Sequence, residues 1–96
     1  MNDRIERISE MEQILVDSKR RLAKLEESLD AFVAGQKNIK KLEDYYHSNL
    51  WRGDFEADER GELPEDLKRG VLSEDEIFNL IEKNDELLQR LSFFER

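Results

Sequence analysis

We predict an all-α fold from three features of the sequence. Apolar residues recur at alternating spacings of three and four through the first half of the chain, which is typical of a helix with a coiled-coil seam. A second amphipathic stripe, with an acidic start led by serine, lies near the C-terminus. No segment alternates as a half-buried strand does. We expect a long N-terminal coiled-coil-like helix, a short central helix, and a C-terminal amphipathic helix packed back antiparallel.

The first helix is predicted over residues 1–52. Its seam is regular over more than four heptads and consists of Ile8, Met11, Leu15, Ser18, Leu22, Leu25, Leu29, Phe32, Gln36 and Ile39. Glycine inside a helix costs about 1 kcal/mol relative to alanine. The heptad phase is nevertheless the same on both sides of Gly35, so we predict a continuous or kinked helix rather than a turn. Gly53 is a suitable residue to end it.

A short helix and turns are predicted over residues 53–72, and the C-terminal helix over residues 73–92. Pro64 suits a first helical position, and Gly70 suits the end of the short helix. Ser73 and Glu76 have the spacing of a capping box, with Leu72 and Ile77 placed as a hydrophobic staple. All these elements fit one domain of 96 residues.

The charge is distributed unevenly. Residues 1–43 carry nine acidic and nine basic side chains, whereas residues 44–96 carry fifteen and seven, which accounts for the net charge of −8. A nucleic-acid binder normally has a basic face, so we expect no direct binding of nucleic acid.

There is no cysteine, which excludes disulfides and thiolate sites and suits a cytoplasmic location. The longest apolar runs are two or three residues, so we expect no membrane span.

The lengths of the helices predict a partner. At 1.5 Å per residue, a first helix of about 50 residues is about 75 Å long, whereas the C-terminal helix is about 30 Å long and covers less than half of it. An apolar stripe therefore stays exposed, and stripes of that size mark interaction surfaces. We expect self-association, most simply a dimer, or binding of another protein, through Ile8, Met11, Leu15, Leu22 and Leu25. Ser18, Gln36 and Asn84 either fix the register of the seams or lie at their solvated edges.

Catalytic and metal-binding chemistry has little support. The acidic run from Asp54 to Glu65 has loose calcium-loop spacing, but Glu59 stands where the loop needs glycine. His47 is the only histidine and lacks the partners of a zinc site or a catalytic triad, so we interpret it as a surface or structural residue. We expect no enzyme activity, no catalytic residue, no metal and no cofactor.

The middle of the chain is the most distinctive stretch. Its apolar members, Tyr46, Leu50, Trp51, Phe55 and Leu67, form either a mini-core that joins the helices or an exposed aromatic binding patch. Asp54, Glu56 and Asp58 would form an acidic rim beside it.

The residues from Tyr45 to Asp75 carry a specific pattern, YYxSxxWxxDFEADExGELPxDLKRGVLSED. This pattern resembles the signature of a small bacterial family of domains of unknown function, and the resemblance covers nearly the whole chain. Members of that family commonly have glycine where this chain has His47, which argues against a catalytic role for the histidine. The resemblance implies a bacterial or phage-borne cytoplasmic protein and no known activity.

Two functions from different classes follow. The first is a non-enzymatic helical module that self-associates or binds another protein. The second is an acidic nucleic-acid mimic or inhibitor, which would occupy the basic groove of a nucleic-acid-binding protein.

Overall fold

The structure, a computed structural model, describes residues 2–93. Three α-helices follow one another, α1 (Asp3–Tyr46), α2 (Asn49–Glu59) and α3 (Glu76–Phe93), with a short 3₁₀-helix, η1 (Gly70–Leu72), before the last. Residues 2–93 contain no strand. The predicted all-α class is confirmed, as is its order of long, short and C-terminal helices.

Helix α1 runs without a break through Gly35, as the preserved heptad phase predicted. Apart from its chain neighbours and the backbone of its own helix, a Cβ at Gly35 would meet no atom within 4 Å. No residue of α1 is buried, so packing does not require glycine at this position. The helix is held by its own backbone bonds, and side-chain contacts such as Asp17–Arg20, at 3.7 Å, add little at an exposed surface.

The prediction of one helix over residues 1–52 was wrong at its C-terminal end, because α1 stops at Tyr46. Ser48 is the cause. Its hydroxyl donates to the carbonyl O of Tyr45 at 2.6 Å and accepts from the amide of Trp51 at 3.4 Å, so it caps the new helix α2. Serine side chains compete with the helical backbone in this way. Gly53 accordingly lies inside α2 rather than after a helix.

Helix α2 ends in a Schellman motif around Gly61. Gly61, at φ +71°, donates its amide to Asp58 O at 3.0 Å, and the amide of Glu62 donates to Ala57 O at 3.0 Å. The left-handed conformation favours glycine, which has no Cβ to clash.

The helix predicted from Pro64 was also wrong. Residues 62–69 form turns, in which the amide of Leu67 donates to the carbonyl O of Pro64 at 3.2 Å.

Helix α3 begins at Glu76, three residues later than predicted. Ser73 still acts near its start, since its hydroxyl accepts from the amide of Asp75 at 3.4 Å. Leu72 and Ile77, the predicted staple, are the two buried apolar residues among those described, with 6% and 3% of their surface exposed. The small core of the fold therefore lies where η1 leads into α3.

Contacts within the chain group it into two compact units, one ending at Gln36 and one beginning at Lys37. The sequence predicted a single domain. The antiparallel return of α3 along α1 stays a prediction. No helix in residues 2–93 combines the length and the apolar character needed to cross a membrane.

Candidate functional site

Three aromatic rings meet where α1 passes into α2, and we name Tyr46, Trp51 and Phe55 the aromatic joint. The rings of Tyr46 and Trp51 lie edge to face, with centroids 5.2 Å apart and an angle of 68°. Trp51 and Phe55 are stacked at 5.2 Å and 20°. Phe55 follows Trp51 by four residues, which places both rings on one face of α2. All three side chains are half-buried.

Two hydrogen bonds fasten the aromatic joint to the segment around η1. The indole Nε1 of Trp51 donates to the carbonyl O of Val71 at 2.9 Å. The hydroxyl of Tyr46 donates to the carbonyl O of Glu74 at 3.1 Å. These bonds span 20 and 28 residues, so the polar tips of the two rings connect distant parts of the second unit. The joint therefore connects α1 and α2 to the segment around η1.

Tyr45 and Asp54 form a second link between α1 and α2. The Tyr45 hydroxyl donates to Asp54 Oδ2 at 2.6 Å. Burial, the hydrogen bond to the Asp54 carboxylate and the negative charge of that carboxylate together raise the pKa of Tyr45 to about 12. The link therefore depends on the neutral phenol.

Arg69 holds the turns that follow α2. Its guanidinium pairs with the carboxylate of Asp58, and both side chains are partly buried. It also donates to the carbonyl oxygens of Pro64 and Glu65, each at 3.3 Å. One planar cation thus connects the end of α2 to the turns ahead of η1. Nearby, the exposed Arg60 guanidinium, through a hydrogen bond and its charge, lowers the pKa of Glu62.

Several predicted site residues are placed differently from the prediction. Leu50 and Leu67 are 71% and 48% exposed, so neither belongs to a mini-core. Of the predicted acidic rim, only Glu56 is both exposed and without an ion pair or hydrogen bond from its side chain within residues 2–93. Asp54 accepts from Tyr45, and Asp58 is paired with Arg69.

The calcium-loop alternative fails on geometry. Residues 54–59 are helical, and a helical backbone cannot wrap a cation as a twelve-residue loop does. Across residues 2–93 no three carboxylate or imidazole groups are placed to hold a metal ion. His47 is exposed, with its ring edge to face against Tyr46 at 5.3 Å.

The predicted seam on α1 is open to solvent, and we name Ile8, Met11, Leu15, Leu22 and Leu25 the exposed seam. These five side chains are between 49% and 66% exposed. Two shallow grooves follow it along the helix. One is lined by Arg7, Ile8, Met11, Glu12 and Leu15, and the other by Lys19, Leu22, Ala23, Leu25, Glu26 and Leu29. Both grooves combine apolar floors with charged borders.

Sequence reasoning missed two of the residues that organise the second unit. Tyr45 was predicted only as a residue of the first helix, because a tyrosine nine residues before an aspartate forms no recognisable pattern. Arg69 lies just before Gly70, the residue predicted to end a short helix, and its spacing to Asp58 becomes meaningful only once the intervening turns are known. The break at Ser48 could have been predicted from the sequence, because serine is a strong cap residue.

The fold and these surfaces define a helical protein with an internally bonded aromatic joint and an exposed apolar helix face. The chain belongs to the family described as a domain of unknown function (DUF4298), whose model matches residues 8–92. That match confirms the resemblance to such a family. Neither the curated proteins nor the solved structures contain a match to the chain.

Proposed function

We propose that this chain is a non-enzymatic protein–protein interaction module that self-associates through the exposed seam of α1. The observation that carries this proposal is the exposure of all five seam residues on one face of a single continuous helix. Isolated apolar residues are normal at a protein surface, whereas a contiguous stripe marks a binding face.

The free energy gained by covering this face is of the same size as the cost of association. Complete burial of a Leu, Ile or Met side chain stabilises by about 1.5–3 kcal/mol, so covering the exposed half of each contributes about 1 kcal/mol. Two copies bring ten such side chains together and gain about 10 kcal/mol. This is within the range of about 4–15 kcal/mol that association costs. The polar borders of the grooves then decide the net affinity.

Sedimentation equilibrium of the full chain tests the proposal. We expect a mass near twice 11.5 kDa that falls toward 11.5 kDa on dilution. The double variant Leu15→Gln/Leu22→Gln keeps residues that favour helices and removes apolar contact, so it should be monomeric at concentrations where the parent is paired. Val16→Gln is the matched control, because Val16 is also exposed (41%) but lies off the seam. A parent chain that stays monomeric at millimolar concentration would refute self-association.

The acidic-mimic alternative has less support. Two of its three predicted contact residues are engaged within the chain, since Asp54 accepts from Tyr45 and Asp58 pairs with Arg69. Glu56→Lys is therefore the clean test, because it reverses an exposed charge without breaking either link. Salt-sensitive capture of a nucleic-acid-binding protein that Glu56→Lys abolishes would favour this alternative.

The proposal includes a location in the bacterial cytoplasm. The cysteine-free sequence is in keeping with a reducing compartment. Fractionation of the source cell, with the chain followed by an antibody, tests the location.

A further inference from the structure

We propose that the partner on the exposed seam is a second copy of the same helix, aligned parallel and in register over residues 5–29. This inference rests on the proposed self-association and adds the orientation and the register. It is carried by the placement of charges beside the seam and by the position of its one polar residue.

The charges are attractive in the parallel alignment. If Ile8, Leu15, Leu22 and Leu29 occupy position a of the heptad, then Arg7 and Arg21 occupy position g, and Glu12 and Glu26 occupy position e. In a parallel pair, each g residue faces the e residue five positions later on the other helix. Arg7 then faces the partner's Glu12, and Arg21 faces the partner's Glu26. By symmetry the pair contains four such contacts, and none brings like charges together.

These four charges are available for contacts between copies. Across residues 2–93, none of them takes part in an ion pair or side-chain hydrogen bond of its own chain. The neighbouring Asp17, in contrast, is engaged by Gln13 at 3.1 Å and by Arg20 at 3.7 Å, on the side away from the seam. Three of the four, Arg7, Glu12 and Glu26, border the two seam grooves.

Ser18 favours the same alignment. It is the only polar residue of the seam between Ile8 and Leu29, at position d. In the parallel register it meets the partner's Ser18, so hydroxyl faces hydroxyl, and each of the remaining layers pairs an apolar residue with its own copy. Buried polar residues select register because any shift sets them against an apolar neighbour.

Antiparallel alignments are poorer. The one that overlaps residues 8–25 sets Ser18 against the partner's Leu15 and Arg21 against the partner's Ile14. It keeps one attractive contact between charges, Glu12 with the partner's Lys19. By symmetry this contact occurs twice, whereas the parallel alignment has four attractive contacts. A shift of one heptad that pairs Met11 with the partner's Leu29 brings Lys19 against Lys19 and Arg21 against Arg21, which is repulsive.

The like charge of the two acidic C-terminal parts opposes a parallel pair. At physiological salt, however, charges more than about 8 Å apart are largely screened, whereas the contacts between g and e residues are direct. The short-range contacts therefore set the orientation.

Engineered cysteines test the orientation directly, because the chain has none of its own. Met11→Cys and Leu22→Cys are prepared separately in the full chain, mixed in equal amounts and equilibrated in a glutathione redox buffer. A parallel, in-register pair places each cysteine opposite its own copy, within disulfide reach, so only same-variant dimers should form. Antiparallel pairing sets residue 11 against residue 22, so disulfides between the two variants would overturn the proposal. Ser9→Cys, off the seam, measures random collision.

Charge reversal tests the register. Arg21→Glu should weaken the pair about tenfold, and so should Glu26→Arg, because each replaces two attractive contacts by two repulsive ones. Mixing the two variants should restore affinity through a heterodimer in which every contact is attractive. Failure to restore it would overturn the register. A chain that does not associate at all would instead refute the proposed function, so the two failures are distinguishable.

Discussion

The indole Nε1 of Trp51 donates to the carbonyl O of Val71, 2.9 Å away and 20 residues later in the chain. This bond ties α2 to η1, and it coincides with the stacking of Trp51 on Phe55. One side chain thus supplies both apolar contact and a directional bond.

Trp51→Phe should destabilise the chain by about 1 kcal/mol, because the ring contacts survive while the carbonyl of Val71 loses its donor. Urea unfolding followed by circular dichroism measures the change. Leu50→Ala is the neighbouring control and should change the stability by less than about 0.5 kcal/mol, since Leu50 is 71% exposed. Equal effects of the two substitutions would show that the bond contributes nothing.

Tyr45 should lose its proton well above the usual tyrosine pKa, at about pH 12 instead of 10.0. Asp54→Asn removes the carboxylate acceptor and its charge, so it should lower the pKa of Tyr45. Spectrophotometric titration of tyrosinate measures this, and Tyr45→Phe identifies which signal belongs to Tyr45. A titration curve that Asp54→Asn leaves unchanged would contradict the link.

The same link predicts a dependence of stability on pH. The pKa of Tyr45 is raised in the folded chain, so its contribution is fully present below pH 10 and is lost as the pH rises toward about 12. Thermal unfolding across that interval should show a steeper loss of stability in the parent than in Tyr45→Phe. Parallel curves for the two proteins would argue against the assignment.

Arg69→Lys should destabilise the chain by about 1–2 kcal/mol, because an ammonium cannot span Asp58 and the carbonyl oxygens of Pro64 and Glu65 at once. Hydrogen exchange should quicken in residues 62–69. Arg60→Lys is the matched control, since its pair with Glu62 is exposed and the charge is kept. Similar losses in both variants would mean that the geometry of Arg69 is unimportant.

Two glycines should respond to alanine with opposite signs. Gly61 adopts φ +71°, so Gly61→Ala should cost about 1 kcal/mol. Gly53 lies inside α2, and a Cβ there meets nothing within 4 Å, so Gly53→Ala should stabilise by about 0.5–1 kcal/mol. Chemical unfolding of the two variants against the parent decides both signs. Stabilisation by Gly61→Ala would contradict the Schellman motif.

The sequence predicted the elements that depend on long periodicity. The uninterrupted passage of α1 through Gly35 follows from the heptad phase, and the buried pair Leu72 and Ile77 follows from the spacing of a staple. The sequence likewise predicted an exposed apolar stripe on α1, and its five side chains are between 49% and 66% exposed.

The errors lie where a local hydrogen bond outweighs periodicity. The apolar phase continues from Tyr46 to Leu50, so a single helix was expected, yet the cap by Ser48 divides it. Gly53 and Gly70 were predicted to end helices, whereas Gly61 ends α2. The partners of Tyr45 and Arg69 depend on the path of the turns, which no pattern in the sequence specifies.

Trp51 is the only tryptophan, and its ring is fixed among Tyr46, Phe55 and the carbonyl of Val71. Intrinsic fluorescence therefore observes the second compact unit alone, whereas the 44 residues of α1 dominate the circular dichroism signal. Dilution that separates two copies at the exposed seam should lower the melting temperature detected by dichroism and leave the emission of Trp51 unchanged. The chain thus carries two reporters without any introduced label, one confined to the second unit and one weighted toward α1.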